Sequence, residues 1–174
     1  MLLLWYFPMK MSRLRQVWLK IGLCLLILIV AYEPSAIASI HKYPESGNQV
    51  MYRAVQSLRD AQEKAWQIVL YKRVKFGLIQ DLHLRIVGFP GNILPHPIPL
   101  ELYREKLKIG VAEDITSPLN LPENVGEYDF RELLPQIESN SPLRILLPRP
   151  KYPIEILLPP FVVKEWRLLL EDNS

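Results

Sequence analysis

Residues 49–75, QVMYRAVQSLRDAQEKAWQIVLYKRVK, decide the fold class. Over Gln49–Asp60, Val50, Tyr52, Ala54 and Leu58 fall on one side of an alternating pattern. Over Ala65–Lys75, Trp66, Ile68 and Leu70 do the same, with Gln67, Tyr71 and Arg73 opposite. Successive side chains of a strand point to opposite faces, so a period of two marks a strand with one buried face. The polar link AQEK at 61–64 is short enough to join two antiparallel strands, and the pair predicts a β-hairpin. A helix competes over 51–64, where Ala, Gln, Arg, Glu and Leu all favour helical backbone. The strict alternation on either side of the link favours strands.

Working outward, LHLRIVGF at 82–89 alternates in the same way, with Leu82, Leu84 and Ile86 on one face and His83, Arg85 and Val87 on the other. Pro90-Gly91 supplies the central pair of a type II turn. Ile98, Leu100 and Leu102, followed by Leu107, Ile109 and Val111, predict a further hairpin turning near Arg104-Glu105. Residues 112–128 read as loop. Asp129 and Glu132 form a capping-box pattern, so a short helix near 129–137 is expected, limited to about two turns by Pro135. Leu143–Leu147 and Tyr152–Leu158 are a last pair of β-like runs around Pro148-Arg149-Pro150. Pro159-Pro160 opens a C-terminal helix near 161–171, whose Val162, Trp166 and Leu169 share one face. Residues 39–48, SIHKYPESGN, read as a polar lead-in ending in a turn.

The expected fold is therefore α+β: mainly antiparallel sheet, hairpin-rich, of about seven strands, with a helix packed on it. Thirteen of the sixteen prolines fall in 90–160 and none in 45–89. Proline cannot donate to a β ladder, so the second half supplies short or edge strands and the first hairpin and 82–89 hold the sheet centre. No internal repeat or low-complexity run occurs.

The N-terminal 38 residues read as an export leader. Arg13, Arg15 and Lys20 precede the apolar run Ile21–Ala31, Pro34 breaks it, and Ala36-Ile37-Ala38 is a small-x-small cleavage site. Eleven apolar residues are short for a bilayer-spanning helix, which needs about 20. A cleaved signal peptide is the expected outcome and an uncleaved anchor the alternative. Translation from Met11 would give a leader of ordinary length. Residues 39–174 then form one globular domain.

The lone cysteine, Cys24, sits within the leader, so the mature chain offers no disulfide, thiol nucleophile or thiolate metal site. Four of the 21 basic residues and one of the 18 acids also lie in the leader, which leaves the mature chain with 17 of each. The basic isoelectric point belongs to the targeting signal and gives no support for nucleic-acid binding.

Segments QVMYRAVQSLRD, WQIVLYKRVK, LRIVGFPG, NVGEYDFRELLPQI and PPFVVKEW together resemble a cyanobacterial family of small exported proteins catalogued as a domain of unknown function. The resemblance runs from about Val50 to Trp166. It implies the periplasm or the thylakoid lumen and carries no catalytic residues. One departure is Gln62-Glu63-Lys64 at the first hairpin connection, where a Gly- or Asn-containing turn is expected.

Chemistry-bearing residues are scattered. His41, His83 and His96 share no metal-ligand spacing, so neither a metal nor a cofactor is expected. His83 is a candidate pH-sensitive group, because an unperturbed imidazole titrates near neutrality. Glu113, Asp114, Glu123, Glu127 and Asp129 make an acidic stretch, which reads as a solvated loop or, against the irregular spacing, a calcium site. Lys72, Arg73, Lys75, His83 and Arg85 are the densest basic group. They read either as edge protection or as a docking patch for an acidic protein or anionic headgroup. Ser57, Ser117, Ser139 and Ser141 occupy no nucleophile elbow, and the glycines form no phosphate loop.

The functional expectation is a noncatalytic exported module that binds a protein partner or small ligand, touching membrane only through an uncleaved leader. The alternative is an extracytoplasmic hydrolase whose carboxylates or histidine converge only in three dimensions. A His–carboxylate pair facing a cleft is the feature that would favour the enzyme.

Overall fold

The computed structural model describes residues 40–147 and 153–172, together with residues 18, 20 and 21. The chain divides into two units, Met1–Ala36 and Ile37–Ser174. Of the first, Trp18, Lys20 and Ile21 are helical and exposed. The expected cleavage site and the rest of the expected leader lie outside the described residues. Among the described residues no helix is long and apolar enough to cross a membrane.

The second unit is mainly antiparallel sheet. Its strands are β1 (His41–Glu45), β2 (Gln49–Arg59), β3 (Ala65–Lys75), β4 (Leu78–Gly88), β5 (Leu100–Arg104), β6 (Leu107–Ala112), β7 (Val125–Asp129), β8 (Leu143–Leu147) and β9 (Ile154–Leu158). One helix, α1 (Pro160–Glu171), closes the chain. The strands form a five-stranded sheet in the order β1-β2-β3-β4-β7 and a four-stranded sheet in the order β6-β5-β8-β9.

The 49–75 hairpin forms with the boundaries its alternation requires. Tyr52, Ala54, Trp66, Ile68 and Leu70 are buried, and Leu58 pairs with Trp66 and Ala54 with Leu70 across the ladder. The connection has no glycine because Asp60 organises it. Its Oδ1 accepts from the backbone N–H of Gln62 and of Lys64, both at 2.9 Å, and Oδ2 accepts from Trp66 Nε1 at 2.9 Å. Glu63 takes the left-handed position at φ 62. An Asx-type turn thus replaces the Gly or Asn turn, and the same carboxylate satisfies the indole of a buried Trp.

Both sheets turn their apolar faces into one core. Ile68, Leu84 and Ile86 from the first meet Leu102, Ile145 and Ile156 from the second. The two sheets are stitched at both seams. Asp60 bridges to Ile156 and Ala61 N–H donates to Glu155 O at 3.1 Å. On the other side, residues just past β6 pair with β7: Asp114 bridges Tyr128, Ile115 N–H donates to Glu127 O, and Asp129 N–H donates to Glu113 O. These contacts tie the two sheets around one core and leave β1 as an exposed edge strand. Helix α1 packs against β2 and β3 and buries Val162, Val163, Trp166 and Leu169. Trp166 meets Phe130 edge-on at 5.7 Å.

Four expectations need correction. Residues 39–48 are not a lead-in alone: His41–Glu45 is an edge strand paired with β2, and its exposed residues carry no burial signal. β4 begins at Leu78 rather than 82, because Phe76-Gly77 makes a two-residue turn directly after β3. Residues 112–128 are not all loop, since β7 begins at Val125. The short helix near 129–137 is a turn followed by a 3-10 turn at Leu134–Gln136. There Asp129 belongs to β7, and its carboxylate binds Arg131 instead of capping a helix. Short strands in the proline-rich half and a central β3 agree with the proline distribution.

Candidate functional site

The five basic residues of the sequence reading divide by strand parity. Lys72 points inward with Ile68 and Leu70 and is fully buried. Its Nζ lies 4.9 Å from the Tyr52 ring and donates to the carbonyls of Leu170 and Asp172, at 3.1 and 2.5 Å. It serves the C-terminal end of α1, where a cation is favoured by the helix dipole and by unpaired carbonyls. Burial pulls the Lys72 ammonium below its ordinary pKa, against the pull of Asp172.

Arg73, His83 and Arg85 come together on the outer face of the first sheet, around two residues the sequence reading did not group with them. These are Tyr71, directly across from His83, and Glu127, directly across from Arg85. The Glu127 side chain is 0% exposed. Tyr71 OH donates to Oε1. His83 Nδ1 lies 3.3 Å from Oε1 and 3.2 Å from the Tyr71 oxygen. Arg85 Nε donates to Oε2 at 2.6 Å. The Arg73 and Arg85 guanidinium groups flank the Tyr71 ring at 5.2 and 5.6 Å. Burial alone would raise the Glu127 pKa, but the bonds from His83, Tyr71 and Arg85 outweigh it and hold the carboxyl below its ordinary value. The same burial and the adjacent carboxylate push the Tyr71 phenol upward. Arg73 is spanned by Asp81 at 3.1 Å and Glu45 at 3.4 Å. Lys75 stands apart at the end of the hairpin, 5.8 Å over the Phe76 ring. The basic group is thus a satisfied ion-pair network on this face, with Lys72 turned inside and Lys75 at the tip.

A second titratable pair lies beside it. Asp114 Oδ2 accepts from His96 Nδ1 at 2.7 Å and from Ile98 N–H at 2.9 Å, while Oδ1 accepts from Thr116 N–H at 2.9 Å. Burial raises the Asp114 pKa, and the hydrogen bonds from Thr116, His96 and Ile98 more than reverse that, so the group is a carboxylate. A carboxylate can only accept, so the imidazole carries a proton on Nδ1, and in the neutral ring that leaves Nε2 as the acceptor. Nε2 is buried and has no partner among the described residues. His96 lines a cleft of about 480 Å³ together with Leu94, Thr116, Ser117, Asn120 and Glu123. Thr116 joins the two pairs, since its Oγ1 accepts from Glu127 N–H at 2.8 Å.

The remaining acids disperse. Glu123 rims the His96 cleft, and Glu113 and Asp129 line a separate one of about 400 Å³ with Arg131 and Glu132. Among the described residues no three His, Cys, Asp or Glu side chains are placed to hold a metal ion. The His96–Asp114 pairing spans 18 positions, and a spacing that long carries no local motif. His41 sits on the exposed edge strand β1, away from both pairs in the chain and in the sheet.

Residues 38–169 match the model of a family described as a protein of unknown function, DUF3122. The chain belongs to that family. Membership covers both titratable pairs and the whole β region, and it assigns no activity to either. No curated protein and no solved structure matches the chain.

Proposed function

We propose that this protein is a noncatalytic extracytoplasmic module that binds a small ligand in the His96 cleft. The observation that carries the reading is a buried imidazole nitrogen, His96 Nε2, on a ring oriented by Asp114 through Nδ1, without a partner among the described residues and on a residue that lines a cleft. Buried acceptors are nearly always satisfied, and an orphan beside a cavity is suited to a ligand donor. The ligand class follows from the walls: a hydroxyl or N–H for Nε2, apolar carbon against Leu94 and Leu121, and polar groups toward Asn120 and Glu123. Tyr71, His83 and Arg85 all converge on the buried Glu127 carboxylate, which supports a structural role for that network and leaves the His96 cleft as the binding site. The export leader and the cyanobacterial resemblance support a periplasmic or lumenal setting.

The test is thermal-shift screening of polyols, sugars and small amines against the wild type and His96→Asn. Asparagine retains a donor for Asp114 but has no acceptor at the Nε2 position. A ligand that raises the wild-type midpoint and leaves the variant unmoved is the expected result. Equal shifts in both proteins would remove His96 from the site.

The His96–Asp114 pair also favours a second reading, a hydrolase in which Nε2 acts as general base and Ser117, on the same cleft, as the candidate nucleophile. Ester hydrolysis lost in both His96→Asn and Ser117→Ala would carry that reading over the first.

A further inference from the structure

The far end of the β3–β4 hairpin carries an exposed apolar cluster. Residues 74–80, VKFGLIQ, contain no acid. Phe76 is 75% exposed, Leu78 68% and Ile79 39%, three large apolar side chains within four positions. They extend from a two-residue turn in which Phe76 has φ 52 and Gly77 φ 75. Asn-Gly is the favoured pair for such a turn, and a bulky aromatic at positive φ is a conformational outlier. Neither burial nor backbone preference therefore explains Phe76, and strained residues persist where a function holds them.

From this we infer that the hairpin end is a lipid-interface wedge, which inserts Phe76, Leu78 and Ile79 into an anionic bilayer surface. The shape and the charge pattern both select lipid over a protein partner. Stable protein interfaces bury a broad patch on each side, whereas a two-residue tip offers a narrow convex one. Leu78 pairs with Lys75 and Ile79 with Val74, so the apolar side chains leave the tip on both faces of the ladder. A fluid acyl layer can surround such a shape, while a single protein pocket meets only one side of it. Lys75 Nζ lies 5.8 Å from the Phe76 ring, so a cation stands beside the apolar tip, where it can meet lipid phosphates as the aromatic inserts. Glu45 and Asp81 are both turned to Arg73, and no described acid pairs with Lys75. This surface is separate from the His96 cleft, and the inference does not depend on the ligand reading.

Co-sedimentation of the processed domain with lipid vesicles tests it. The probes are vesicles of pure phosphatidylcholine and of an equimolar phosphatidylcholine–phosphatidylglycerol mixture. The wild type should bind the mixed vesicles more tightly than the neutral ones, and Phe76→Asn should weaken that binding by about tenfold or more, from the apolar area of one aromatic side chain. Phe76→Asn restores the favoured turn pair, so it should unfold no earlier than the wild type, and loss of binding cannot be a folding defect. Leu78→Asn should act in the same direction. No sedimentation of the wild type with either vesicle would overturn the inference, as would unchanged binding in both variants. A wild-type dimer that Phe76→Asn converts to monomer would assign the tip to self-association and overturn it as well.

Discussion

Replacing Glu127 by Gln tests the outer-face network most directly. The substitution keeps the side-chain shape but removes the charge that Arg85 Nε, Tyr71 OH and His83 converge on. A hydrogen bond to a charged partner contributes about 1.5–3 kcal/mol, and the Arg85 bond at 2.6 Å loses that charge assistance. The new amide must also turn its NH₂ toward at least one of three existing donors, which costs about 1 kcal/mol more. Removing one member of a buried pair costs about 3–5 kcal/mol, but Arg85 is 37% exposed and can rehydrate, so the lower end applies. The expected loss is about 3 kcal/mol, or a fall in Tm of roughly 10 °C for a domain of this size. The pH dependence has a definite sign. The folded pKa of Glu127 lies below its ordinary value of 4.5, so its stabilisation is complete above that value and is lost as pH falls through the folded pKa. Urea unfolding followed by the fluorescence of buried Trp66 and Trp166 at neutral and at acid pH measures both effects. Wild type should weaken on acidification, and Glu127→Gln should start weaker and change less. An unaltered midpoint at neutral pH, or an equal acid slope in the two proteins, would refute the account.

Other outcomes follow from the core and the leader. Trp66→Ala should cost about 3–5 kcal/mol in urea unfolding, since it empties a buried site and leaves Asp60 Oδ2 without the indole. A Cβ at Gly88 would stand 2.6 Å from Trp66 Cζ3, so Gly88→Ala should destabilise by about 1–3 kcal/mol in the same assay. Removing residues 161–174 uncovers the apolar surface beneath Val162, Val163, Trp166 and Leu169, and an aggregating or unfolded product is expected by light scattering and circular dichroism. Intact-mass measurement of protein recovered after export should give Ser39 as the N-terminus, and recovery only of full-length membrane-bound chain would favour the anchor instead.

Strand positions were legible where one face is buried. Tyr52, Ala54, Trp66, Ile68, Leu82 and Leu84 are buried at every second position, and a period of two is a one-dimensional record of which side meets the core. Proline content likewise marked the second half as short strands, because a missing N–H is a local property. β1 escaped because its five residues are exposed or nearly so, and β7 because its outer residue Glu127 is buried as deeply as its inner ones.

The sequence by itself determined the fold class, the first hairpin, the sheet centre and the C-terminal helix, because burial periodicity and turn chemistry act over a few neighbouring residues. Tertiary structure alone decided that the strands divide into two sheets stitched at both seams, and that Lys72 serves the end of α1 while Arg85 holds Glu127. It also decided that His96 and Asp114 meet. Those pairings join positions 18 to 100 residues apart. Each is set by which strand lies beside which and by which loop covers the face, and no local periodicity encodes that.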